Sequence, residues 1–266
     1  MPIGVDYTAL ERAIFECACA GCESIWITVN DNWIPLIKER IGDYVYDPVW
    51  YYRQYDVNPS DGRKLIPIFL VPHQPKYRDR RDSLGWGVIN AAIYATRSTK
   101  KISNFLTPDK FYVAFPHGVY EPKVLMRKRT IISSNTKFCL QYENQTIKDG
   151  KRLGFTFTWE DVKKINAHIQ LEGTGRWKAI GKFIKGKNYE WSHQLPAEEQ
   201  YSARHFTLEK VFEPLDFFEA EKIDLSWFFD IKTWEGYKEF MGSEYCLKRP
   251  VPLARRKLPL IGVDDD

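Results

Sequence analysis

The order of elements near the N-terminus narrows the fold class first. Thr8-Ala9-Leu10-Glu11 is a capping box, in which a hydroxyl and a carboxylate satisfy backbone N–H groups at a helix start. Leu10, Ala13, Ile14 and Cys17 recur on one helical face, and Gly21 suits the left-handed residue that ends a helix. Ile25-Trp26-Ile27-Thr28-Val29 follows, β-branched and almost wholly apolar, as in a strand covered on both faces of a parallel sheet. Asn30-Asp31 turns the chain. Pro35 sits in the first turn of a second helix carrying Ile34, Ile37 and Ile41, which Gly42 closes. This alternation predicts an α/β protein with a mostly parallel, twisted sheet covered by helices on both faces.

The same pattern continues. Asp47 to Lys64 is Tyr-rich and reads as a loop, and Leu65 to Val71 as a strand. Pro72 to Asp82 reads as a charged loop, Ser83 as an N-cap and Leu84 to Thr96 as a helix. Phe111 to Phe115 reads as a strand that breaks at Pro116-His117-Gly118. Beyond residue ~123 the pattern changes. Thr130-Ile131-Ile132, Phe138-Cys139-Leu140 and Gly154 to Phe157 look like strands of a β-rich acceptor region, with a helix from Thr158 to Ile169. Residues 170–205 are polar and irregular, in keeping with a lid or a variable acceptor region. Phe206 to Phe218 contains an amphipathic helix. Trp227-Phe228-Phe229-Asp230 is an apolar run ending in an acid, and a last helix spans Trp234 to Phe240. One domain is expected over 1–245. Residues 246–266 read as a solvated, extended tail, basic from Lys248 to Lys257 and interrupted by prolines.

Charge and cysteine usage exclude several classes. A net charge of +4 is not the massed basic face of a nucleic-acid-binding protein. There is no apolar run long enough to span a membrane and no secretion signal, so a cytoplasmic protein is expected. Cys17, Cys19 and Cys22 have no partners at zinc spacing, and read as free thiols of a reducing compartment.

Asp230 is placed to deliver a carboxylate to a sheet edge, where open α/β sheets bind ligands and a nucleotide-bound metal needs oxygen. Four segments then resemble the sugar-phosphate nucleotidyltransferase family, including the molybdenum-cofactor-type nucleotide transferases. They are Met1-Pro2-Ile3-Gly4 with Ala20 to Ile27; Ser83-Leu84-Gly85-Trp86-Gly87 to Ala92; Phe115-Pro116-His117-Gly118 to Pro122; and Asp230-Ile231-Lys232-Thr233-Trp234-Glu235-Gly236-Tyr237. The resemblance covers roughly residues 1–170 and 205–240, and its last segment is the most specific. It implies a glycosyltransferase-A-like Rossmann variant. It also implies transfer of a nucleotidyl group from a nucleoside triphosphate to a phosphosugar, with Mg²⁺ and release of pyrophosphate. By the same resemblance, Asp230 and His117 take the catalytic, metal-holding positions, and Gly85, Trp86 and Gly87 border the base.

The chain departs from that pattern in two ways. The family's phosphate loop would lie before Met1, so either the protein starts upstream or the loop is lost. His117 stands where the second metal acid is expected, although imidazole suits zinc, nickel or copper better than Mg²⁺. Each residue also has a plainer reading. Asp230 would cap a helix or form a turn with Thr233, and His117 would fill a surface turn. Gly85 and Gly87 would be helix-entry glycines and Trp86 a core indole. Glu121, Arg78, Arg80 and Arg81 would be solvated. The alternative function is a non-catalytic nucleotide- or sugar-binding relative of the same fold. A glycosyltransferase stands third, since no Asp-x-Asp motif follows a strand.

Overall fold

Helix α1 (Ala9–Ala20) is the central element, and its two faces are used differently. The structure, a computed structural model, describes residues 1–53, 64–73, 83–134, 137–172, 177–179, 191–194 and 206–253. The capping box forms as read: the Thr8 amide donates to the Glu11 carboxylate at 2.9 Å, and Gly21 ends the helix at φ 95°. One face of α1, with Ile14 and Ala18, packs on Ile25, Val45, Ile66 and Ile68. The other, with Phe15 and Cys19, packs on Leu125, Ile132, Phe138 and Leu140.

The protein is mixed α/β; it opens with the antiparallel pair β1 (Pro2–Gly4) and β2 (Tyr7–Thr8), and α2 (Ile34–Ile41) forms where the second helix was read. A three-stranded sheet has β5 (Leu65–Pro72) at its centre, parallel to β3 (Ile25–Val29) and antiparallel to β4 (Tyr44–Tyr46). β3, read as covered on both faces, is an edge strand, and its middle residues stay half-buried. Four more strands form a second sheet in the order β12 (Glu221–Asp224), β8 (Phe138–Gln141), β9 (Phe155–Thr158), β6 (Lys110–Val113). There β12 and β8 run parallel, and β9 runs antiparallel to both β8 and β6. The sheets are therefore mixed, not mostly parallel. After β8 the chain makes a tight turn, with Glu143 and Asn144 at positive φ, and has no crossover helix with which to return parallel.

Along β8 the side chains alternate between cores. Phe138 and Leu140 face α1 and α5 (Val124–Ser134). Cys139 faces the core built by α4 (Leu84–Ile102), α6 (Trp159–Glu172) and α7 (Leu208–Phe212). Helices thus cover both faces of this sheet, as expected. Thr130-Ile131-Ile132, read as a strand, lies inside α5. Its buried residues, Leu125 and Ile132, are spaced by two helical turns, and packing on Phe138 overrides the β-branched local preference.

Other readings are refined. The span read as a loop from Asp47 begins with α3 (Pro48–Arg53), and residues 54–63 lie outside the described residues, as do Arg78, Arg80 and Arg81. Within the irregular region 170–205, β10 (Trp177–Ala179) and β11 (Trp191–Gln194) form an antiparallel pair. The segment read as a solvated tail is docked at its start. Leu247 is buried with Ile3 and Tyr7, and Arg249 pairs with Glu11 at 3.1 Å. No helix among the described residues is long and apolar enough to cross a membrane.

A bidentate ion pair joins three helices. The fully buried Asp47 carboxylate accepts from both Arg129 Nη atoms, at 2.8 and 2.6 Å, and from the Val49 amide at the start of α3. The Arg129 stem from α5 passes over Gly21, where a Cβ would lie 2.4 Å from its Nε. Burial alone raises a carboxyl, but the Arg129 hydrogen bonds and charge prevail and hold Asp47 below its ordinary 3.8. A depressed carboxyl contributes stability above its unfolded pKa and loses it as pH falls through its folded one. Arg129→Met should therefore cost about 3 kcal/mol at neutral pH in urea unfolding. Its deficit relative to the wild type should shrink below about pH 4; a deficit that stays constant down to acid unfolding would show that the pair is not responsible.

Candidate functional site

The segments that carry His117 and Asp230, far apart in the chain, are joined by a two-residue ladder. β7 (Gly118–Val119) pairs antiparallel with β13 (Phe229–Asp230), placing Gly118 opposite Asp230 and Val119 opposite Phe229. The His117 carbonyl accepts from the Ile231 amide at 2.9 Å. Asp230 is thus on a short antiparallel ladder, not at the C-terminal end of a parallel strand as first read, because its partner is the returning turn after β6. The plainer reading of Asp230 is also partly realised. Its Oδ1 accepts from the Lys232 amide at 3.0 Å in a tight turn, while Thr233 caps α8 (Trp234–Gly242).

The ladder is squeezed from two sides by close backbone approaches. A Cβ on Gly118 would lie 1.9 Å from the Arg152 carbonyl oxygen, and one on Gly236 would lie 2.1 Å from that of Asp230. Only glycine lets the Arg152 segment and α8 come so near. From its packed segment, Arg152 sends Nη1 to Asp230 Oδ2 in an ion pair of which the arginine is 12% and the aspartate 30% exposed. Arg152 was not singled out in the sequence, since nothing local ties it to a residue so far along the chain. Glu209 closes the group from α7. Its carboxylate stands over Gly150 and is held below the usual range by the Thr207 hydroxyl first, with Arg152 and Lys232 adding to the effect.

Beneath the turn lies a buried polar network. Arg12, fully buried, donates to the Phe115 carbonyl at 2.8 Å and pairs with Glu16, also fully buried, at 2.8 Å. The Gly118 amide closes the turn onto that same carbonyl. The Tyr112 hydroxyl donates to Glu16 at 2.6 Å, and Gly154 leaves room for it, since a Cβ there would come within 2.2 Å. The sequence signal was available: opposite charges at i and i+4 in a helix whose neighbours are apolar.

The residues expected at the base are placed differently. Gly85, Trp86 and Gly87 are all buried. Trp86 belongs to the core with Ile89, Phe115 and Val211. A Cβ on Gly85 would clash with Val211 of α7 at 2.6 Å, and the Gly87 carbonyl accepts from Thr28 on β3 at 2.8 Å. These glycines seat α4 against its neighbours, and Trp86 is the core indole of the plainer reading. Glu121 accepts from the Lys123 amide and lines a separate cavity of about 170 Å³, with Tyr7, Phe15 and Cys246. His117, Arg152 and Asp230 are not part of it.

Among the described residues no group of three or more His, Cys, Asp or Glu side chains is arranged to hold a metal ion. No protein-family model matches the chain, and no curated protein is significantly similar to it.

Burial lowers the His117 pKa below its ordinary 6.5, and the Arg152 guanidinium lowers it further. Asp230 opposes this, whereas the Met1 ammonium and Lys232 act with Arg152. The imidazole is therefore neutral near pH 7, and protonating it as pH falls works against the fold. Heteronuclear NMR should show the His117 midpoint below 6.5. Arg152→Gln should raise that midpoint and Asp230→Asn lower it; the opposite signs would mean that these groups do not face the ring. Gly118→Ala should cost about 2 kcal/mol in urea unfolding, the scale of forcing a methyl into a packed contact, and an unchanged midpoint would show the ladder to be loose.

Proposed function

We propose that the chain is a nucleotidyltransferase-like α/β protein, of the glycosyltransferase-A-like type, that binds a nucleotide or sugar phosphate beside His117, Arg152, Asp230 and Lys232. One observation carries the reading. Gly118, next to His117, lies opposite Asp230 across the β7–β13 ladder, and the Asp230 charge acts on the His117 ring, so the two positions that the resemblance pairs are neighbours. Arg152 and Lys232 add the positive charge that a phosphate ester requires, and arginine's planar fork suits a phosphate bidentately.

Magnesium does not fit these residues as they stand. Mg²⁺ takes oxygen ligands in near-octahedral geometry. Arg152 already sets a cation against one Asp230 oxygen and the Lys232 amide bonds the other, so a divalent ion there would meet like charge, and the second position is an imidazole. That favours binding of the phosphorylated ligand without nucleotidyl transfer, the role of a degenerate relative in the cytoplasm.

The test is a thermal-shift titration with ATP, CTP, GTP, UTP and glucose 1-phosphate, each with and without Mg²⁺. A ligand at a hundred times its Kd stabilises by about 2.7 kcal/mol, which for a chain of this size raises Tm by several degrees, at about 2–4 °C per kcal/mol. The rise should be lost in Arg152→Gln. No shift with any of the five compounds would reject the reading, and Mg²⁺-dependent release of pyrophosphate from a triphosphate and the sugar phosphate would replace binding by transfer.

A further inference from the structure

We propose that the Arg152 guanidinium takes the place at Asp230 that a divalent cation would occupy, so that this site meets phosphate with a built-in cation and works without metal. The ligand class rests on the function proposed above; the exclusion of metal stands on the geometry alone.

Arg152 is not a loose surface arginine that happens to lie near an acid. Its carbonyl abuts Gly118 so closely that no Cβ fits between them. Leu153 beside it is fully buried, and the Gly154 carbonyl accepts from the Leu140 amide at 2.8 Å. The backbone that carries the guanidinium is thus fixed to β7 on one side and β8 on the other. The side chain is mostly covered and directed at Asp230. A divalent ion on that oxygen would have to displace the guanidinium by side-chain rotation alone, since its backbone is packed, or sit directly against it. Lys232, two residues on, adds a further positive charge, as its effect on His117 shows.

The guanidinium is also chemically suited to the substitution. It stays protonated at any working pH and carries five N–H donors in one plane, so that it can bridge a carboxylate and a phosphate together. A Mg²⁺ ion performs the same bridging between an acid and a phosphate, but it must be bound first and is lost to chelators. Asp230 then serves to orient Arg152 and is not a metal ligand.

Mn²⁺ alone, followed by electron paramagnetic resonance, tests the exclusion directly. Wild type and Arg152→Lys should show no Mn²⁺ site that Asp230→Asn removes. Arg152→Gln should gain a saturable site that the double variant R152Q/D230N lacks, with circular dichroism confirming that the variants are folded. An Asp230-dependent Mn²⁺ site in the wild type overturns the inference, and so does equal Mn²⁺ binding by the wild type and a folded Arg152→Gln. Glucose 1-phosphate, or whichever nucleotide raises Tm, supplies a second measurement that needs no variant. Its Kd in EDTA should lie within about tenfold of that in Mg²⁺, and a larger gain with Mg²⁺ overturns the inference. If no phosphate ester binds under either condition, the proposed function falls while the Mn²⁺ measurement still decides this inference.

Discussion

A fully buried ion pair between Arg12 and Glu16 connects almost every part of this protein that bears on its site. Two charges without solvent are costly unless they are paired and hydrogen-bonded. Burial raises the Glu16 carboxyl, and Arg12 with the hydroxyls of Tyr112 and Tyr120 pulls it back. Arg12 also lies 4.9 Å from the centre of the Tyr120 ring and donates to the Phe115 carbonyl. Removing either charge would leave the other stranded, a loss of about 3–5 kcal/mol in comparable buried pairs. The pair therefore fixes α1, β6, the turn that carries His117 and the strand start at Gly154 as one unit.

The site is assembled on that unit by close backbone approaches. Gly154 admits the Tyr112 hydroxyl, Gly118 admits the Arg152 carbonyl, and Gly236 brings α8 against Asp230. Each contact lacks room for a single methyl group, so β7, β13 and the Arg152 segment are packed backbone against backbone. The result is one carboxylate with both oxygens engaged, two basic side chains and a neutral imidazole. The proposed phosphate-ester site rests on that constellation.

What was legible in the sequence was mainly local. The Thr8 capping box, the Gly21 end of α1, the Ser83 cap and the strands at Ile25, Leu65, Phe138 and Phe155 depend on interactions within a few residues, and all formed where the pattern places them. The misreadings share a cause. Thr130 to Ile132 prefers a strand by composition but is held in a helix because Leu125 and Ile132 find Phe15 and Phe138. Arg249 belongs to a basic run that looks solvated, yet it meets Glu11 from the opposite end of the chain.

By itself the sequence determined the alternation of helices and strands and the α/β class. Strand direction, the engagement of Asp230 by Arg152, the seating of Gly85 and Gly87 against Val211 and Thr28, and the docking of Leu247 were decided by tertiary structure. The physical reason is range. Caps, turns and periodicity are settled within a few residues, where local propensity dominates. The charge that faces a given carboxylate is settled by which distant segments can pack together once the core has closed, and no local pattern encodes that choice.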